Sequence, residues 1–468
     1  MQYNTASLNI EKLNFNLLLK LFLLIAVIIQ VLCVIVFAYH GLLITLGPII
    51  IIALAAFTAF SVEKTFFLLA FYVIVFEEYY YAGVFSPIQV YYLWPVASGI
   101  YVLLIVYWLI HLLRHKTPVN ISALDASIII FLFYVLVSIV NGYLRGYNGK
   151  SWRWDMLPYP FYLSYFIFIY SKLRNKSKLF YDYILILSIP VALTMFYALS
   201  QLRGAILLQR VVTQNIHIMQ FAIPYAGLTI IYSQSPKRRT TCTLLLPIFT
   251  LAVIISQQRA LLFTIVMTLF ILLLIFMKVA YKSIKKRTKI LWALLIIAIV
   301  AVPFIALEIM TKESLILTFL SRFYIFMNPI NFARDTSWQI RWQEIIRVLP
   351  QIKENFLLGA GIGATTISRH RMILQITVDN SYLYILWKMG IIGLVSFLSI
   401  YYMAIKRCGL VLRRTKVTDE KIFAASVLFN IVGLLLIGIT NASIAHYRFI
   451  LVWLALVGSI ELIARKYD

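Results

Sequence analysis

Apolar residues in this chain come in long unbroken runs, without the strict alternation of a half-buried strand. A bilayer core offers the backbone no hydrogen-bond partners, so runs of about 20 apolar residues must satisfy their own amides as helices. Such windows lie near 20–39, 42–61, 65–84, 95–113, 124–141, 156–171, 179–199, 216–233, 241–257, 260–278, 290–307, 381–405, 422–440 and 446–463. They predict an all-α polytopic membrane protein of about fourteen transmembrane helices. The run from Leu17 to Ala38 exceeds a signal-peptide core and lacks a small-residue cleavage site, so it is expected to stay as the first span. Segment 156–171 is the least regular, being short and flanked by Pro158 and Pro160.

One stretch interrupts the pattern. Residues 308–380 hold charges, glycines and tryptophans that hydrocarbon would reject, and they sit between two strongly apolar runs. The expected organisation is therefore spans over 1–307, a large water-facing loop over 308–380, and spans over 381–468. Within the loop, DTSWQIRWQEIIRVLPQI predicts a short helix, capped by Asp335 or Thr336 and stopped by Pro350. Trp338, Trp342, Ile345 and Leu349 recur at helical spacing as the side expected to face spans or lipid, and Arg341 falls among them.

Composition agrees: 62% of residues are hydrophobic and 13% charged, more apolar surface than a soluble core of this length can hide. The net charge of +25 changes the picture only through its placement. Basic clusters at Arg114–Lys116, Lys172–Lys178, Lys237–Arg239, Lys278–Lys289, Lys406–Lys416 and Arg465–Lys466 recur at every second loop, which predicts cytoplasmic connections, two cytoplasmic termini and no nucleic-acid partner. Loop 308–380 then lies outside. Two smaller outer loops are unusually basic, with Arg145, Lys150 and Arg153 in one and Arg203 and Arg210 in the other; these suit an anionic ligand or lipid headgroups. Cys33, Cys242 and Cys408 show no paired spacing, which argues against disulfide and metal sites.

Candidate chemistry gathers on the outer side. Arg259, in SQQRAL, stands between two spans with almost no loop; an arginine there costs about 2.5–3.5 kcal/mol unless it snorkels or finds a partner. Arg341 presents a planar fork suited to phosphate oxygens, or to a carboxylate such as Glu344 or a loop acid. Gly359, Gly361 and Gly363 form a turn that is either structural or a phosphate cradle. Asp379 can serve as a general base at the mouth of a span, while Asp379 or Asn380 can cap the helix starting at Ser381. His370, flanked by Arg369 and Arg371, is a second possible base. Lys388 with Gly390 and Gly393 points to close helix packing near a polar feature and is given no chemistry.

The order of these pieces resembles the O-antigen ligase and O-antigen polymerase superfamily (WaaL/Wzy-like): an arginine after a span, an Arg-Trp helix in a large outer loop, a GxGxG turn, then Asp379-Asn380 followed nine residues later by Gly390-Ile391-Ile392-Gly393. The resemblance covers roughly 250–405. It implies a GT-C-like fold and a metal-independent glycosyltransferase without a cofactor. Such an enzyme takes glycan from an undecaprenyl-pyrophosphate-linked oligosaccharide at the periplasmic face of the bacterial inner membrane, with a chain-length regulator protein as a further partner. Carried over by position, Arg259 and Arg341 hold the pyrophosphate, and Asp379 takes the place of the ligase histidine; Arg203, Arg210, Arg145, His370, Asn380 and Trp338 are expected to line the substrate. Asp-Asn in place of His-Asn favours a polymerase over a ligase acting on lipid A core. A transporter of lipid-linked glycan, needing charges and broken helices near mid-membrane, is the reading from another class.

Overall fold

A computed structural model describes residues 61–76, 87–115, 121–156, 158–171, 177–201, 215–256, 258, 261–268, 270–271, 274, 336–368, 373–375, 377–441 and 447–468. The spans expected at 20–39 and 290–307 lie outside them. The described chain is helical: α1 Val62–Phe71, α2 Pro87–His115, α3 Ala123–Leu144, α4 Gly149–Met156, α5 Ser164–Ile169, α6 Ser177–Gln201, α7 Met219–Tyr232, α8 Pro236–Ser256, α9 Thr336–Glu354, α10 Ser381–Arg414, α11 Thr418–Gly438 and α12 Tyr447–Ala464. One exception is a two-stranded antiparallel hairpin, β1 Thr366–Ser368 with β2 Ile373–Gln375, in which Ile367 faces Leu374. Among the described residues four helices, α3, α8, α10 and α11, are long and apolar enough to cross a membrane.

The core is where these helices touch. α10 packs along α3, where Phe131 meets Phe397 at 5.7 Å between ring centres, and Tyr401 of α10 stacks on Trp453 of α12 at 4.7 Å. α7 fills the space between α8 and α11; Phe423 of α11 edges onto Phe221 and stacks on Tyr181 of α6. Such offset and edge contacts add about 0.5–1.5 kcal/mol each beyond burial.

Ion pairs fix which ends lie together. Arg238, in the first turn of α8, reaches Asp182 near the start of α6 at 2.8 Å and Asp419 at the start of α11 at 3.1 Å. Arg407, late in α10, meets Glu461 of α12 at 2.9 Å and Asp468 at 2.7 Å, and Lys466 meets Glu420 at 2.8 Å. Arg465 bonds Asp125 at the start of α3. One basic face thus joins the starts of α3, α6, α8 and α11 to the ends of α10 and α12. The end of α3, the end of α11 and the start of α10 form the opposite face.

Three expectations change. Pro350 does not stop α9, which runs on through it to Glu354. Segment 156–171 is not one span: a 3-10 turn at Tyr159–Leu163 precedes the six-residue α5. Together they rise roughly 19 Å, well short of a hydrocarbon core of about 30 Å. The span expected over 381–405 is likewise discontinuous, because α10 breaks at Gly390, whose φ of 68° and ψ of −172° are open essentially only to glycine.

Candidate functional site

α9 carries the charged side chains of the site. Its bundle-facing residues are Glu344, Val348 and Ile352, all buried, and it packs against α10. Arg341 lies one turn before Glu344 on the edge of that face. Both reach the stretch that leads into α10: Glu344 accepts the Asp379 amide at 2.9 Å, and Arg341 Nε lies 3.8 Å from Asp379 Oδ2. The first contact fixes the Asp379 backbone, and the second is a charge pair beyond hydrogen-bond distance that draws the carboxylate toward Arg341. Arg341 is mostly covered, with a side chain 23% exposed, while that of Asp379 is 54% exposed, so the carboxylate stands at the mouth of the site.

The helix cap belongs to Asn380. Its side chain accepts the Leu383 amide at 2.8 Å and donates to the Ile439 carbonyl at 2.9 Å. Asp379 is therefore not spent on capping. Ser381 donates to the Asn441 carbonyl at 2.7 Å and Tyr382 to that of Leu435, so the start of α10 is pinned to the end of α11.

Beneath this lies the break in α10. The glycine turn supplies donors to carbonyls at the kink: the Ala360 amide bonds the Trp387 carbonyl at 2.8 Å and the Gly361 amide that of Lys388 at 3.0 Å. On the other side of the turn the Ile362 amide bonds the Ser138 carbonyl at 3.0 Å, and the Gly363 amide bonds Asp155 at 2.7 Å. These amides are committed to protein, so the phosphate-cradle alternative is corrected to a structural turn. Glycine is required by contact: a Cβ on Gly359 would stand 2.4 Å from the Lys388 carbonyl, and one on Gly361 2.7 Å from the Gly142 nitrogen.

A buried ion pair locks the turn. Lys388 Nζ donates to Asp155 Oδ2 at 2.6 Å and to the Ala364 carbonyl at 2.5 Å, with both charged side chains fully buried. Tyr384 donates its hydroxyl to the other Asp155 oxygen. A charge inside a bundle of spans persists when it is paired and hydrogen-bonded, and here both partners are.

Of the sequence-predicted residues, the structure brings Arg341, Asp379 and Asn380 together, with half-buried Trp338 one turn before Arg341. It does not bring in Arg145, which donates to Asn355 at 2.6 Å and to Asn141 at 3.0 Å. Asn355 lies 14 residues beyond Arg341, about 20 Å along α9. Arg259, Arg203, Arg210 and His370 lie outside the described residues. Ser256 and Gln258, three residues and one residue before Arg259, are buried, about 31 Å of helix from the basic face. The apolar stripe of α9 is turned away from the bundle, since Trp342 and Leu349 are exposed. Asp155 was not foreseen, nor that Glu344 accepts the Asp379 amide, whereas Lys388 does sit in close helix packing beside a polar feature, as expected. The signal was present for one of them: a lysine inside an apolar run demands a buried acid.

Compared with known proteins, residues 243–398 match the family model described as O-antigen ligase, Wzy_C. No curated protein matches the chain. The matched segment contains α9, the glycine turn, Asp379-Asn380 and the broken start of α10, and over it the chain is similar to the O-antigen ligase family, in line with the O-antigen ligase/O-antigen polymerase resemblance.

Proposed function

We propose that this membrane protein polymerises undecaprenyl-pyrophosphate-linked oligosaccharide repeat units of O-antigen or a related surface polysaccharide. The reaction is placed at the periplasmic face of the bacterial inner membrane, with the basic face cytoplasmic, as the positive-inside rule requires. Glycan transfer of the ligase/polymerase type follows from the family domain. The observation that carries the finer reading is the Arg341–Asp379 pair, held at the start of α10 on the face away from the basic clusters.

In this reading the acceptor hydroxyl attacks the anomeric carbon of the donor and its proton passes to the Asp379 carboxylate. The bond from anomeric carbon to diphosphate oxygen breaks, and the diphosphate leaves with the electron pair, so the centre inverts. Arg341 and Arg259 stabilise that leaving charge, the electrostatic contribution that is usually largest in such transfers. Arg341 also orients Asp379 before substrate arrives. Arg203, Arg210, His370 and Trp338 extend the site along the glycan and diphosphate, Asn380 positions Asp379, and Arg145 supports the glycine turn. No metal or cofactor takes part. A chain-length regulator is the expected protein partner.

The ligase differs in acceptor alone, and the transporter reading has one observation behind it, a broken helix with a buried ion pair. That pair is closed by protein groups on every side, which favours a structural lock. Purified protein given lipid-linked repeat units with and without lipid A core separates the three. The polymerase produces a ladder without core; transfer to core alone overturns it in favour of the ligase, and lipid movement without bond formation favours transport.

A further inference from the structure

We propose that α9 lies in the outer membrane–water interface, with one flank seated in the lipid headgroup and acyl boundary. Successive helical residues turn by about 100°, so α9 divides into three sectors. Glu344, Val348 and Ile352 pack on the bundle. Gln339, Gln343 and Glu354 form an exposed polar flank. Trp342, Ile346 and Leu349, at i, i+4 and i+7, form an exposed apolar flank on the remaining side, with the exposed Lys353 one turn beyond Leu349 placed to snorkel to headgroups, and Phe356, Leu357 and Leu358 continue it, every one of these six apolar residues at least 40% exposed. A helix that buried its apolar flank in protein, or stood wholly in water, would not show this division. An interfacial helix resting against spans does.

The occupant of the apolar flank is lipid, because the flank continues a lipid-facing band. α3 is long and apolar enough to span a membrane, and it leaves Phe133, Leu136, Val140 and Leu144 exposed along its length. Arg145, which ends α3, bonds Asn355, so that band arrives beside Phe356–Leu358. Trp342 suits the boundary, having an apolar body and a polar N–H. The seating fixes the depth of Arg341 at the level of lipid phosphates whatever reaction the site performs, so it stands apart from the glycan-transfer reading.

The test is a depth measurement in phosphatidylethanolamine/phosphatidylglycerol nanodiscs. Spin labels are placed at Ile346→Cys and Gln343→Cys in a background with Cys33, Cys242 and Cys408 changed to alanine. The label at 346 is expected to be several-fold more accessible to oxygen than to a water-soluble nickel chelate, and the label at 343 the reverse. Equal chelate access at both positions overturns the proposal, and so does spin–spin broadening at 346, which would assign the flank to a second copy of the chain. A measurement on native cysteines guards against loss of fold: brominated lipids should quench wild-type tryptophan fluorescence more than that of Trp342→Phe, and identical quenching counts against the seating.

Discussion

Lys388→Met tests the lock beneath the site. It removes a buried ammonium that lies 2.6 Å from Asp155 and leaves that carboxylate covered, with only the Gly363 amide and the Tyr384 hydroxyl as donors. Breaking a fully buried pair from one side costs about 3–5 kcal/mol, because the remaining charge keeps its desolvation and loses its partner. Asp155→Asn is expected to cost less, since an amide oxygen still accepts from Gly363 while the isolated lysine keeps the Ala364 carbonyl. The double variant should cost less than the two singles added, by roughly 1–3 kcal/mol, as contacting residues do. The assay is reversible unfolding in mixed micelles, titrated with dodecyl sulfate and followed by circular dichroism. A Lys388→Met cost under about 1 kcal/mol, or strictly additive singles, would refute the reasoning that charge pairing holds the glycine turn to α10.

Gly390→Ala is expected to cost at least about 1–3 kcal/mol from its backbone conformation alone. The new Cβ would also stand 2.1 Å from the Leu357 carbonyl, so both melting temperature and transfer activity should fall; wild-type values would show that the break in α10 is dispensable. Asn380→Ala removes the cap and should lower stability by about 0.5–2 kcal/mol. Asn380→Ser, which can still accept the Leu383 amide, should recover most of that loss in a thermal melt, and failure of serine to do so would move the role from the cap to the bond with Ile439.

Length and hydropathy made the helices over 95–113, 124–141, 241–257 and 422–440 legible, because a span's signal is local and extends over many residues. The Arg341–Asp379 juxtaposition was legible as two candidates whose meeting only tertiary structure could show. What the sequence left open depended on context. Which face of α9 meets the bundle is decided by its neighbours, so Glu344, Val348 and Ile352 turn inward, while Trp342 and Leu349 of the stripe expected to face spans or lipid stay exposed. The glycine turn looked open to phosphate because sequence does not reveal that its amides complete the kink at Trp387 and Lys388. Asp155 was hidden as the last residue of a loop, although Lys388 required an acid somewhere.

The central claim is that Arg341 and Asp379 form one reacting centre. The most direct measurement is initial-rate glycan transfer with purified wild-type, Arg341→Ala and Asp379→Asn protein on undecaprenyl-pyrophosphate-linked repeat units, with folding checked by circular dichroism. The account predicts folded variants that lose about 100-fold or more of the rate, the scale of removing one preorganised charge or one general base. Wild-type rates in either folded variant would contradict it.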